Sequence, residues 1–352
     1  MKIYLLSFVD TNFGDNLFIH TVVRRYKEHD FYMVVNEAYK SSYELLCKFE
    51  KNIHLVSEEK AAEFLDEMDG MLVVGGDMFG NDTYTTLRAQ ISTIKNKGGF
   101  VAFLGISLFD DYAFKTKLRL REMFSKANHI VVRESKTYKQ VKKLLIKTPV
   151  ILSTDMAFNT DVTAVKEVQP EEGLLGISVR KKIPRNAPDA YEVYCQNVAQ
   201  MAVAYLNKSE SNKINFLAFS KGVYDDEAVA QDIMNLCPEE YRGRMNCTTF
   251  DGDVESYILE IQKCEKLLCT RFHALVFAIL LNKPFIPIIY EDKMTRLLDE
   301  VSYEGTRLYY EEPNTYGGKY DFHAFREDNN SKLKKYLIKS DSFFKETDKI
   351  IL

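Results

Sequence analysis

The stretch from 267 to 293, LLCTRFHALVFAILLNKPFIPIIYEDK, decides the fold. KLLCT (266–270) is a short apolar run that reads as a buried strand. ALVFAILLN (274–282) is apolar on every side and reads as a buried helix. PFIPIIY (284–290) reads as the next strand. Continuous apolar strands linked by such a helix belong to a parallel sheet covered on both faces. Arg271, Phe272 and His273 fall in the turn between strand and helix, and Lys293 follows the next strand.

The same alternation runs outward in both directions. Toward the N-terminus, IYLLSF, FYMVVN, IHLV, MLVVGG, FVAFLGIS, HIVVR and PVILS are each separated by a helical pattern, the first from about Asp15 to His29. Before EEKAAEFLDEM, Ser57 stands as an expected helix N-cap. The polar segment TDMAFNTDVTAVKEVQPEEG (154–173) then breaks the rhythm, and a second series begins with LLGISVR. The expected fold class is α/β and GT-B-like: two Rossmann-like domains, with parallel sheets facing a central cleft. The expected domains are 1–160 and 161–352.

Composition removes several classes. The 352 residues carry 47 Lys+Arg against 51 Asp+Glu, a net charge of −4, which argues against a general nucleic-acid partner. The six cysteines form no C-x-x-C pair, so neither a zinc knuckle nor a disulfide framework is expected; most should be buried thiols in a reducing compartment. No apolar stretch is long enough to span a bilayer, and the N-terminal MKIYLLSF reads as a strand rather than a signal peptide. The chain is expected to be cytoplasmic, without stable membrane insertion.

The strand-to-helix loops carry the chemistry. In DTNFGDNLF (10–18), Gly14 permits a tight turn, while Asp15 either caps the next helix or faces the cleft to bind or deprotonate a hydroxyl. VVGGDMFGND (73–82) has the G-x-x-x-x-G spacing of a P-loop, but Asn81 and Asp82 stand where Lys and Ser/Thr are required. Gly75 and Gly76 instead let backbone approach a ligand at a strand end. Arg133 ends VVR either as an internal ion pair or as a ligand contact, and Arg180 ends the first strand of the second domain.

A cation at a helix N-terminus is unfavourable on its own, so Arg271 needs a compensating anion, and its planar fork suits carboxylate or phosphate. The same dipole disfavours protonated His273 by about 0.3–1 kcal/mol. A bound dianion reverses that sign. A histidine charged only when an anionic substrate arrives is well placed as a general acid.

Taken in order, NFGDNLFI (12–19), VVGGDMF (73–79), VVRES (131–135), STDMAF (153–158), GISVR (176–180), TRFHALVFAI (270–279) and NKPFIPIIYEDK (282–293) resemble the polysaccharide pyruvyl transferases. The resemblance implies transfer of a pyruvyl group from phosphoenolpyruvate to a sugar of a surface or exopolysaccharide precursor, as a ketal, with release of phosphate. It implies that His273 is the general acid and that Arg180, Arg271 and Lys293 bind the donor beside Phe272; on the loop reading given above, Asp15 is the residue expected to serve the acceptor hydroxyl. The first domain becomes the acceptor side and the second the donor side. Two departures stand out: Gly-Gly-Asp ends at Asp77 where a third glycine is common, and Met156 replaces a frequent proline. Asp77 bears on acceptor contacts.

No cofactor or metal is implied, phosphoenolpyruvate being a co-substrate. The other expected partner is a saccharide, free or lipid-linked; a lipid-linked acceptor would bring the chain to the inner membrane face. The sequence is compatible with a homo-oligomer. On this reading Arg271→Lys weakens donor binding and leaves stability almost untouched. The competing reading is a GT-B glycosyltransferase with a nucleotide-sugar donor.

Overall fold

The computed structural model describes residues 1–76, 79, 84–109, 112–182, 187–221, 225–312 and 331–352. Asp77 and the 80–82 end of the glycine loop lie outside the described residues. By its internal contacts the chain divides into two units. The first comprises Met1–Asp10, Asp15–Thr160 and Leu337–Leu352; the second comprises Thr11–Gly14 and Asp161–Tyr336.

The first unit is built on β1 (Lys2–Ser7), β2 (Asp30–Val34), β3 (Ile53–Val56), β4 (Gly70–Val74), β5 (Phe100–Ile106), β6 (His129–Val132) and β7 (Val150–Leu152). Their order is β3-β2-β1-β4-β5-β6-β7, and every pairing is parallel. β4, β5 and β6 are buried along their whole length. That burial on both faces explains why their sequences are continuously apolar rather than alternating. Leu120, Met123 and Phe124 of the helix Phe114–Lys126 close one side of this core against Phe103 and Ile130.

The second unit repeats the plan with β8 (Glu171–Ser178), β9 (Lys213–Ala218), β10 (Met245–Thr249), β11 (Cys264–Cys269), β12 (Phe285–Ile289) and β13 (Leu308–Tyr309). The order is β10-β9-β8-β11-β12-β13, again all parallel. In each sheet the strand order reverses once, between β1 and β4 and between β8 and β11. Such switch points are where open parallel sheets bind ligands, beyond the carboxyl ends of the strands. The loops singled out in the sequence leave those ends.

Two expectations need amendment. A single boundary at 160/161 omits two exchanges: Thr11–Gly14 packs with the second unit, and Leu337–Leu352 returns to the first. In the first exchange Phe13 is fully buried, with its ring 5.0–5.6 Å from those of Tyr257, Phe219, Phe250 and Phe277. In the second, Asp348 accepts from Arg25 Nε at 2.9 Å, Arg25 Nη2 at 2.6 Å and Tyr26 Oη at 2.9 Å. Ser57 precedes a 3₁₀ turn, Glu58–Lys60, and makes no side-chain cap hydrogen bond. The cysteines are free thiols; Cys195, Cys237, Cys264 and Cys269 are buried, Cys47 and Cys247 only partly. No helix among the described residues is long and apolar enough to cross a membrane.

Candidate active site

The helix Phe272–Leu280 begins directly after β11, with Arg271 as its N-cap residue in an extended conformation. Its side chain makes no cap hydrogen bond. Ser178 at the end of β8 fixes the turn: its Oγ accepts the backbone N–H of Thr270 at 2.9 Å and of Arg271 at 3.1 Å. Two strand ends are thereby tied to one helix start.

The Arg271 guanidinium is buried, with 5% of the residue exposed. Its compensating anion is internal. Nε donates to Asp226 Oδ2 at 2.9 Å and Nη2 donates to Asp226 Oδ1; Nε also reaches the Val179 carbonyl at 3.3 Å. Asp226 is fully buried and also accepts from the backbone N–H groups of Phe219 at 3.0 Å and Ser220 at 3.2 Å. Burial is the largest influence on both partners. It pushes the Asp226 carboxyl up, against the pull of Arg271, while Asp226 holds the guanidinium above its ordinary range in spite of burial. Four donors converging on one carboxylate favour its charged form. The fork that the sequence reading gave to a ligand is thus taken, and only Nη1 makes no hydrogen bond among the described residues.

His273 is the second residue of the helix and is partly buried. Gly14 lies against its ring: a Cβ built at Gly14 would stand 2.3 Å from both Cε1 and Nδ1 of His273. The approach is set by backbone. The Gly14 N–H donates to Asn12 Oδ1 at 2.9 Å, the Phe13 N–H to the Phe219 carbonyl at 2.8 Å and the Lys221 N–H to the Thr11 carbonyl at 2.9 Å. Glycine is needed here for closeness rather than for an unusual φ. Gly14→Ala should push the imidazole aside and reduce turnover about 100-fold, the scale of a roughly 1 Å misplacement. A turnover within threefold of the parent chain would show that the ring tolerates displacement.

Arg180 and Lys293 reach the same neighbourhood through aromatic rings. The Arg180 guanidinium carbon lies 4.6 Å from the Tyr290 ring centroid, and its Nη1 donates to Tyr290 Oη at 2.8 Å. Lys293 Nζ lies 5.1 Å from the centroid of Phe272, whose ring meets that of His273 edge-on at 5.4 Å. Lys293 also pairs with Glu291 at 2.7 Å. Burial would raise the Glu291 carboxyl, but Lys293, Tyr290 and Arg180 together hold it below its ordinary range. Two carboxylates, Asp226 and Glu291, therefore accompany the three cations. The fixed charge of these five groups is +1, far less than three unopposed cations would provide.

The structure thus places Arg180, Arg271, Phe272, His273, Lys293 and Gly14 in one unit, around the β8–β11 switch point. Asp15, Gly75 and Gly76 belong to the other unit. There Asp15 stands in the first turn of the helix Phe13–Arg25. Gly75 adopts φ 126° just after β4, where an ordinary side chain would be strained. Gly76 lies under Arg133: a Cβ there would stand 2.5 Å from Nη2. Arg133 donates from Nε to Ser107 Oγ at 2.7 Å and from Nη1 to Asp155 Oδ2 at 3.2 Å, so it has the internal partners that the ion-pair reading required. Ser178, Asp226, Tyr290 and Glu291 were not singled out from sequence. No cluster of three or more His, Cys, Asp or Glu among the described residues could hold a metal ion.

Solved structures with this architecture define the class. A UDP-N-acetylglucosamine 2-epimerase matches with a TM-score of 0.57 at 12% identity, over 99% of this chain and 95% of its own. A putative UDP-N-acetylglucosamine 2-epimerase from Listeria monocytogenes gives 0.54 at 10%, over 99% and 90%. The Glycyrrhiza uralensis enzyme UGT73P12, complexed with glycyrrhetinic acid 3-O-monoglucuronide, gives 0.51 at 9%, over 100% and 95%. At such identities the likeness is one of fold, and the fold is GT-B-like. None of the curated proteins matches the chain. The family model for polysaccharide pyruvyl transferase matches residues 12–292, and the chain belongs to that family. It is accordingly a transferase that modifies polysaccharide.

Proposed function

We propose that the protein transfers a pyruvyl group from phosphoenolpyruvate to two hydroxyls of a saccharide acceptor, forming a ketal and releasing phosphate. The observation that carries this reading is the set around His273: a titratable ring at a helix N-terminus, seated on Gly14, with Arg180, Lys293 and the remaining Nη1 of Arg271 nearby. Phosphoenolpyruvate brings about −2.5 to −3 charges, given the usual charge of a phosphate monoester and one carboxylate. An anion of that size complements a site of modest positive charge and also charges the imidazole. Glu291, held by Lys293, is the carboxylate a donor phosphate would displace from that lysine.

The chemistry balances without an oxidant. His273 gives a proton to the methylene carbon, leaving an oxocarbenium-like centre at the adjacent carbon. The first sugar hydroxyl forms a C–O bond there, and Asp15 is the residue we assign to bind or deprotonate it. The second hydroxyl then forms its bond as the C–O bond to phosphate breaks, and its proton leaves with the phosphate. An acceptor carried on lipid would bring this reaction to the inner face of the membrane, with the chain itself cytoplasmic.

The test is donor consumption. With a panel of free and lipid-linked saccharides, phosphoenolpyruvate should be consumed with phosphate release and a ketal should be found by mass. A chelator should leave the rate unchanged. Consumption of a nucleotide sugar instead, abolished by chelator and restored by magnesium, would replace this reading with that of a glycosyltransferase.

A further inference from the structure

One face of the first unit combines features that the transfer reaction does not use. On the helix Phe114–Lys126, Thr116, Leu120, Met123 and Phe124 point into the core. Phe114, Lys117, Leu118 and Arg121 stand at positions i, i+3, i+4 and i+7 and form an outward stripe. Phe114 is 75% exposed and Leu118 is 48% exposed. Across a groove of about 370 Å³ lies Leu145, which is 78% exposed. Leu145 has φ 54°, in the left-handed region that a branched side chain seldom occupies. Three large apolar side chains are thus turned to water around one groove, with Lys117, Arg121 and Lys143 among them.

The charge of this segment is lopsided. Residues 114–147 contain eleven Lys/Arg and two Asp/Glu, a surplus of nine in a chain whose net charge is −4. Both acids are engaged: Glu122 pairs with Arg88 at 2.5 Å, and Glu134 accepts from Thr137 at 3.0 Å. The groove also reaches the carboxyl end of β5. Leu108, which lines it, follows Ser107, the partner of Arg133, and its N–H donates to Thr137 Oγ1 at 3.1 Å.

We propose that this face seats the protein on an anionic phospholipid surface, with Phe114, Leu118 and Leu145 entering the headgroup–acyl boundary while the surrounding cations meet the headgroups. Cations interleaved with exposed aromatic and aliphatic side chains are what an interfacial surface requires, because neither the charges nor the apolar groups hold a membrane firmly alone. A soluble polyanion would use the cations and leave the apolar side chains in water. A second copy of the chain would have to bring the same positive surplus against itself. The inference is independent of the donor chemistry, since the surface should bind vesicles whether or not phosphoenolpyruvate is consumed.

Flotation of the full chain with phosphatidylcholine vesicles, with and without phosphatidylglycerol, tests it. The protein should float with the anionic vesicles, stay behind with the neutral ones, and be released as salt approaches about 1 M, where screening reaches within roughly 3 Å. Lys117→Gln with Arg121→Gln should weaken partitioning about 25-fold, at about fivefold per basic residue. Phe114→Ser with Leu118→Ser should weaken it at least about tenfold through lost apolar burial. Thermal unfolding should be unchanged in both. If either pair unfolds the chain, Lys143→Gln with Lys147→Gln on the exposed far side serves instead and should weaken partitioning by the same 25-fold. Three results would overturn the proposal: no flotation with anionic vesicles; an apolar variant that binds vesicles like the parent while duplex DNA competes fully; or a dimer that Phe114→Ser dissociates.

Discussion

Replacing His273 by Asn is expected to cut turnover by about 100- to 10,000-fold while phosphoenolpyruvate still binds. That range is what a positioned general acid contributes, and Asn keeps size and hydrogen bonding but has no proton to give at neutral pH. Arg180 and Lys293 remain in the variant, held by Tyr290 and Phe272 as before. The parent rate should fall as pH rises through the histidine's pKa in the complex, because only the protonated ring can act, and this limb should be missing from the variant. His20 cannot stand in, since it is buried and paired with Glu50 at 2.6 Å. Turnover within a few-fold of the parent would place the acid elsewhere. Lost donor binding would make His273 a binding residue instead.

Asp226→Asn should lower the unfolding free energy by about 3–5 kcal/mol, the usual result of leaving one half of a buried ion pair behind. The amide cannot offer two charged oxygens to the Arg271 fork and the backbone N–H groups of Phe219 and Ser220. A urea titration should show an earlier transition. Arg271→Lys should act in the same direction, because an ammonium cannot reproduce the two parallel hydrogen bonds. This reverses the sequence-based expectation of an unchanged melting point. Arg180→Lys serves as the contrast: its guanidinium is only partly buried and donates to the neutral hydroxyl of Tyr290, so donor affinity should suffer and stability should change less than in Asp226→Asn. If Asp226→Asn unfolds with the parent and only weakens donor binding, the carboxylate belongs to the ligand site and not to the scaffold.

The strands were legible because burial on both faces leaves no room for alternation, and the all-parallel order follows from the helices between them. The placement of Arg180 and of Arg271 to His273 was legible too, since strand ends are marked by where apolar runs stop. Their partners were not. Asp225 and Asp226 read alike as acids at a helix start. Asp225 does cap that helix, accepting the Ala228 N–H at 3.1 Å, whereas its neighbour turns inward to Arg271, 45 residues away in sequence. One residue of helical register separates the two fates, and periodicity does not resolve it. Glu291 was similarly hidden between a strand and Lys293. The exchange of Thr11–Gly14 carried only a faint signal: Phe13 is an aromatic residue in a loop otherwise polar enough to stay at the surface.

That exchange bears on how the chain is made. Gly14 is synthesised 259 residues before its partner His273, and the aromatic residues that receive Phe13, from Phe219 to Phe277, also come long after it. Closing so long a loop costs little more than closing one half its length, but it has to wait for synthesis. A fragment beginning at Asp161 would fold around a hole where the Phe13 ring belongs, with nothing beneath the imidazole. Adding Thr11–Gly14 in trans as a short peptide, or grafting it onto the start of the fragment, is the minimal repair.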